Sequence, residues 1–163
     1  MAFSQSYLNK KRISKALRNF VRDKINPGTN IIRHYVGLSR HDFREYLELQ
    51  FLPGMTWDNY CKVWEIDHLA PCNLFDMTNS QELEVCWNFL NLMPMFEDDN
   101  LLKGNSLEFA YEELMNRKRV LRYNKILDKL IEKVKPGLGR LEKYHREDLE
   151  FLDTFARIHL RKW

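Results

Sequence analysis

Asp67-His68, Asn91 and Asn100 are the residues of this chain whose types and spacing suit chemistry. A carboxylate offers a hard oxygen ligand to a divalent cation. The imidazole beside it, with an ordinary pKa of about 6.5, suits proton abstraction from water near neutral pH. Side-chain amides can serve in two ways. One can hold a loop in shape by hydrogen-bonding its backbone, and another can lend an oxygen to the same cation. Hydrolysis of a phosphodiester asks for such a set: a base for the attacking water, and positive charge for the phosphate and the leaving oxygen.

The elements that must position these groups can be read from pattern. Trp64-Glu65-Ile66-Asp67-His68 reads as a strand, in which successive side chains alternate faces. Asp67 and His68 therefore point apart, while Glu65 shares the face of Asp67 and is a candidate contact to the cation, direct or through water. The wider aromatic stretch from Trp57 is strand-compatible as well. Leu92-Met93-Pro94-Met95-Phe96 is a short apolar run whose proline permits an edge strand only. Glu97-Asp98-Asp99 then places acidic residues at a helix start, where the helix dipole favours them, with Asn100 in the first turn.

On either side the pattern is helical. Residues 5–25 read as a basic amphipathic helix with Ile13, Leu17, Phe20 and Val21 on one face, and Asn26-Pro27-Gly28 ends it. A short piece from Ile31 to Val36 runs to Gly37. Ser39 with Asp42, and Asn79 with Glu82, mark two further helix starts, the second covering about residues 80–89. Residues 107–134 read as one long helix, Pro136-Gly137-Leu138-Gly139 as a break, and residues 140–161 as a last helix. The fold class expected is α+β, mostly helical, with a small β-containing centre between helices at both ends.

Composition bounds the function. A chain of 163 residues with 44% hydrophobic content can bury a core. No stretch approaches the roughly 18 apolar residues of a membrane span, and Met1 to Gln5 lack the apolar run of a signal peptide. An intracellular setting is expected: viral or phage, cytoplasmic or organellar, and not secreted. Cys61, Cys72 and Cys86 form no C-x-x-C pair, so three reduced thiols are expected rather than a zinc knuckle or a disulfide framework. The net charge of +3 is unevenly spread. Residues 1–35 carry eight Lys and Arg against one Asp, and residues 36–106 carry four against twelve Asp and Glu. Residues 107–163 carry fourteen against ten. Basic flanks around an acidic centre suit a protein that grips phosphates while central carboxylates hold a metal. Lys10, Lys11, Arg12 and Lys15 are the candidate phosphate contacts of the first flank.

The ordered set Asp67-His68-Leu69-Ala70-Pro71, then Asn91-Leu92-Met93-Pro94-Met95, then Asn100 nine residues after Asn91, then Lys103-Gly104, resembles the HNH (ββα-metal) endonuclease family. The lead-in Phe51 to Tyr60 is similar to that of phage- and virus-type members. The likeness covers about residues 37–106. It implies a small ββα-metal finger with Asp67 and Asn100 as metal ligands and His68 as general base. Asn91 would be the amide that fixes the loop aiming His68, a role for which Asn88 is the competitor. Lys103 would be a phosphate contact. It also implies three segments: a basic N-terminal helical arm over 1–36, the nuclease domain over 37–106, and a C-terminal helical extension over 107–163. The chain departs from members that carry zinc-binding Cys pairs or a His in place of Asn100. An amide oxygen favours Mg²⁺ or Mn²⁺ over Zn²⁺ or Ni²⁺. The function so implied is metal-dependent hydrolysis of DNA, double-stranded or branched. The rival is a catalytically idle HNH-fold subunit that binds nucleic acid within a nucleoprotein assembly, since fold alone does not fix activity.

Overall fold

The computed structural model describes residues 4–22, 29–121 and 124–137. The helix expected over 140–161 and the end of the first helix, residues 23–25, lie outside the described residues. Helix α1 spans Gln5–Val21, α2 Thr29–Val36 and α3 Arg40–Glu48. Strand β1 spans Trp64–His68, α4 Ser80–Cys86, β2 Leu92–Phe96 and α5 Glu97–Lys103. Helices α6, Leu107–Val120, and α7, Lys125–Val134, follow. The protein is thus α+β and mostly helical, with a small antiparallel sheet. Among the described residues no helix is long and apolar enough to cross a membrane.

Short polar side chains start these helices by satisfying amides that have no partner within the helix. The Ser39 hydroxyl accepts from Asp42 N at 3.1 Å, and the Asn79 oxygen accepts from Gln81 N at 2.9 Å. The long helix read over 107–134 is two helices. Asn124 caps the second, its side-chain oxygen accepting from Ile126 N at 2.9 Å and Leu127 N at 3.2 Å. Leucines and isoleucines on both sides of the break face one core, so the apolar periodicity hides it.

Strands β1 and β2 pair with Trp64 opposite Phe96, Asp67 opposite Met93 and His68 opposite Leu92. Pro94 faces Ile66 in this register. Its missing N–H is tolerated because a two-stranded sheet has a free edge on each strand. Such a ribbon is not stable alone in water, and aromatic packing holds it. Trp64 is fully buried. Its ring lies 4.7 Å from Phe51, 4.7 Å from Tyr60 and 5.2 Å from Trp57, and its indole N–H donates to Thr56 O at 2.7 Å. Trp57 itself lies in a 3-10 turn, Trp57–Asn59, rather than in a strand. The aromatic run serves packing around Trp64, which is compatible with either backbone.

The buried core runs continuously from Ile13, Leu17 and Phe20 of α1 through Phe43 and Leu47 of α3 to Leu127 and Leu130 of α7. Described parts of the basic arm, the centre and the C-terminal extension therefore share one core. At its heart Arg117 is fully buried. It donates to Leu90 O at 2.8 Å, to Gln50 Oε1 at 3.1 Å and to the Tyr46 hydroxyl, and pairs with Glu113 at 3.4 Å. Tyr46 in turn donates to Leu92 O at 3.3 Å, and burial pushes its hydroxyl pKa up to about 12 although Arg117 pulls it down. Replacing Arg117 with Met keeps the volume but takes the cation from Glu113 and the donors from the Leu90 carbonyl and Gln50 Oε1. Breaking a buried pair in this way costs about 3–5 kcal/mol, and urea unfolding of Arg117→Met measures it. A loss below about 1 kcal/mol would show that this network does not hold the fold.

Candidate functional site

Behind the end of β1 sits Asn91, with no exposed surface. Its Oδ1 accepts from Ala70 N at 2.7 Å, and its Nδ2 donates to Ala70 O at 3.1 Å and to Cys86 O at 2.8 Å. Its backbone carbonyl accepts from Leu69 N at 2.8 Å. One side chain thus holds both backbone groups of the second residue after His68 and ties them to the end of α4. Asn88, the competitor for this position, instead caps the turn Phe89–Asn91, accepting from Leu90 N at 3.1 Å.

Asp67, on the other strand face from His68, meets Lys103. The ammonium lies 2.8 Å from Asp67 Oδ2 and donates to His68 O at 3.0 Å. Only 6% of the Lys103 side chain is exposed, so Lys103 is turned onto Asp67 rather than outward to a phosphate. Gly104 follows it and ends the helix. Its φ of +50° and ψ of −122° end α5 in a conformation that side-chain-bearing residues rarely adopt.

Asp67, His68, Lys103 and Asn100 line one cleft of about 430 Å³, with Glu65 also on its wall. The far wall is α1, which contributes Lys10, Ser14 and Arg18. These positions share a helix face. Lys11, Arg12 and Lys15 lie on the other faces of α1, are exposed, and do not line the cleft. Of the four basic residues singled out in sequence, Lys10 alone reaches the cleft. Arg18 was missed, although its i+8 spacing from Lys10 marks the same face. Arg22, one turn further, ties α1 to the start of the strand by donating to Tyr60 O at 3.1 Å.

His68 is nine-tenths buried, with 9% of its surface exposed. Its ring meets Trp87 edge-on at 4.5 Å, and its Nε2 is buried without a hydrogen-bond partner. Cys72 and Cys86 complete this pocket. The Cys86 thiol donates to Cys72 Sγ across 3.8 Å, which holds the Cys72 thiol well below its usual range, with help from the His68 imidazole and against the opposing effect of burial. Burial pushes Cys86 up. The sequence reading of three separate thiols missed this cluster, because Cys72 and Cys86 are fourteen residues apart and only the fold brings them together.

Among known proteins, the chain is similar to two uncharacterized proteins of Acanthamoeba polyphaga mimivirus. It is 31% identical to one over 116 residues, covering 70% of this chain and 51% of the relative. It is 29% identical to the other over 112 residues, covering 68% of this chain and 49% of the relative. The chain therefore spans about half the length of the curated relatives it matches. No family model matches the sequence, and no solved structure matches the fold.

The Asn91 clamp yields a stability prediction that is independent of activity. Asn91→Ala deletes three hydrogen bonds and leaves Ala70 N–H buried without an acceptor. Each such bond is worth about 1 kcal/mol and the orphaned group about 1–3 kcal/mol, so a total loss of about 4–6 kcal/mol is expected by chemical denaturation. Asn91→Asp, isosteric but lacking both donors, should lose nearly as much. An Asp variant as stable as the parent would exclude the clamp.

Proposed function

We propose that the protein is a metal-dependent endonuclease of the HNH type that hydrolyses DNA phosphodiester bonds. The observation that carries the reading is that Asn100, distant in sequence from the adjacent pair Asp67 and His68, lines one cleft with them on a strand–strand–helix unit. The cleft also faces the Lys10 and Arg18 side of α1. The donor set fits a hard cation, because Asp67 already holds a positive charge there, the Lys103 ammonium at 2.8 Å. Asp67 and Asn100 would hold Mg²⁺ or Mn²⁺, which when bound neutralises charge on the phosphate and the leaving oxygen.

The remaining roles belong to the chain itself. His68 takes the proton from the attacking water, and Asn91 fixes the loop that sets its position. Lys10 and Arg18 bind backbone phosphates, which gives affinity without sequence information. Lys103 neutralises Asp67 in the metal-free chain and competes with a divalent ion for the same oxygen. An intracellular, viral setting belongs to the same reading, and its viral part is supported by the mimivirus relatives.

A second reading has a specific observation in its favour. The burial of His68 and the engagement of Asp67 by Lys103 suit an idle HNH-fold subunit that binds nucleic acid inside an assembly. Plasmid nicking separates the two. Cleavage should require Mg²⁺ or Mn²⁺ and stop with EDTA. His68→Ala should reduce it by about 10²–10⁴-fold, the contribution of a general base, with DNA binding unchanged in a gel-shift assay. Metal-independent inertness of the parent, or full activity of His68→Ala, would favour the idle subunit or remove His68 from the chemistry. Lys103→Met should tighten Mn²⁺ binding about tenfold in calorimetry, because one positive charge near the ion is gone. Unchanged affinity would mean that the ion binds away from Asp67.

A further inference from the structure

We infer that His68, Cys72 and Cys86 form a second metal site, for a thiophilic divalent ion such as Zn²⁺, distinct from the hard-oxygen site of Asp67 and Asn100. Their donor atoms all lie within 4.8 Å of one another. Two thiolates held about 2.3 Å from one zinc at the tetrahedral angle stand about 3.8 Å apart, and the sulfurs of Cys72 and Cys86 are 3.8 Å apart. Bringing the imidazole onto the same ion takes a movement of about 1 Å. A second observation points the same way. His68 is nine-tenths buried and its Nε2 has no hydrogen-bond partner, a costly state for a ring nitrogen that ligation relieves.

The chemistry of the donors selects the ion. Two thiolates and an imidazole favour Zn²⁺ and discriminate against Mg²⁺ and Mn²⁺, which prefer oxygen. Three protein ligands leave the fourth position open, and both His68 and Cys72 line the cleft, so the ion can be loaded from that side. Asn91 fixes both ends of the site, holding Ala70 two residues after His68 and the carbonyl of Cys86 itself. Cys61 also lines the cleft but is not part of the cluster. The consequence for activity rests on the proposed nuclease reading: an imidazole bound to zinc cannot accept a proton from water, so Zn²⁺ inhibits Mg²⁺-supported cleavage.

Cobalt is the spectroscopic probe for the site. Co²⁺ added to the full chain in a thiol-free reductant should give thiolate-to-cobalt charge transfer in the near ultraviolet and the strong visible bands of tetrahedral cobalt. One equivalent of Zn²⁺ should bleach both. The bands should be lost in Cys72→Ser and in Cys86→Ser and survive in Cys61→Ser, with circular dichroism checking each fold. Should Cys86→Ser misfold, Cys72→Ser at the cleft wall decides. Should both misfold, the parent decides: Zn²⁺ should slow alkylation of Cys72 and Cys86, but not Cys61, in mapped peptides. Absence of charge transfer in the parent, its survival in both site variants, or protection of Cys61 alone would overturn the site. In the nicking assay, Zn²⁺ should lower parental cleavage at least tenfold and leave Cys72→Ser unaffected. A parent without cleavage leaves the cobalt spectrum intact as a test, so the two readings fail separately.

Discussion

The cleft depends on one buried amide. Asn91 carries three side-chain hydrogen bonds in a place with no water to replace them. Any displacement of the loop after β1 must break at least one of these bonds, and each unmade bond there costs the full desolvation of its group. The loop is therefore fixed relative to β2 and to the end of α4. The segment that carries Asn91 is itself held from behind. Arg117 of α6 takes the carbonyl of Leu90, and Tyr46 of α3 takes that of Leu92. Two helices that do not line the cleft thus grip the residues on either side of Asn91. This gives the flanking helices a physical task beyond burying surface: they hold still the segment that holds the loop.

Much of this was legible in the residues, and the losses have physical causes. Ser39 and Asn79 announced their helices because capping is a local contact, complete within four residues. Trp64–His68 and Leu92–Phe96 were legible as two strands, the second an edge strand because of its proline, and the structure pairs them. The break between α6 and α7 was hidden because Leu121, Ile126 and Leu127 continue a helical spacing across it, and Asn124 is the one local sign of a new start. Trp57 read as strand because aromatic residues fit either a pleated face or a packed turn. Cys72 and Cys86 were illegible as a pair. Their contact is made by folding α4 back onto the loop after β1, and nothing local to either cysteine encodes that.

Charge explains the shape of the cleft more than its lining count does. The Asp67 side chain is four-fifths buried, with 20% of it exposed. A lone carboxylate there would pay a desolvation penalty that surface screening does not remove. Lys103 offsets it, and it does so from the end of α5, where a cation also meets the helix dipole favourably. The same ammonium bonds the His68 carbonyl, so Lys103 fastens α5 to the end of β1 beside the cleft. Lys10 and Arg18 stand on the α1 wall of the cleft, across from Glu65 and Asp67 of β1. Under the proposed function, the basic wall would take a phosphate chain and the acidic wall a cation.

The alternation of a β-strand separates two chemistries in this space. Asp67 and His68 are consecutive, so their side chains leave β1 on opposite faces. Asp67 goes to the Lys103 ammonium at the end of α5, and His68 goes to Trp87 and the two thiols. A hard cation and a soft one would therefore not compete for ligands, because no donor of one set belongs to the other. They would compete for what His68 does, since its imidazole can be a base or a ligand but not both. A register slip of one residue would exchange the faces, turning the carboxylate toward the thiols and the imidazole toward Lys103. The pairing of His68 with Leu92, secured by Asn91 one residue earlier, is what keeps the carboxylate and the imidazole on their separate sides.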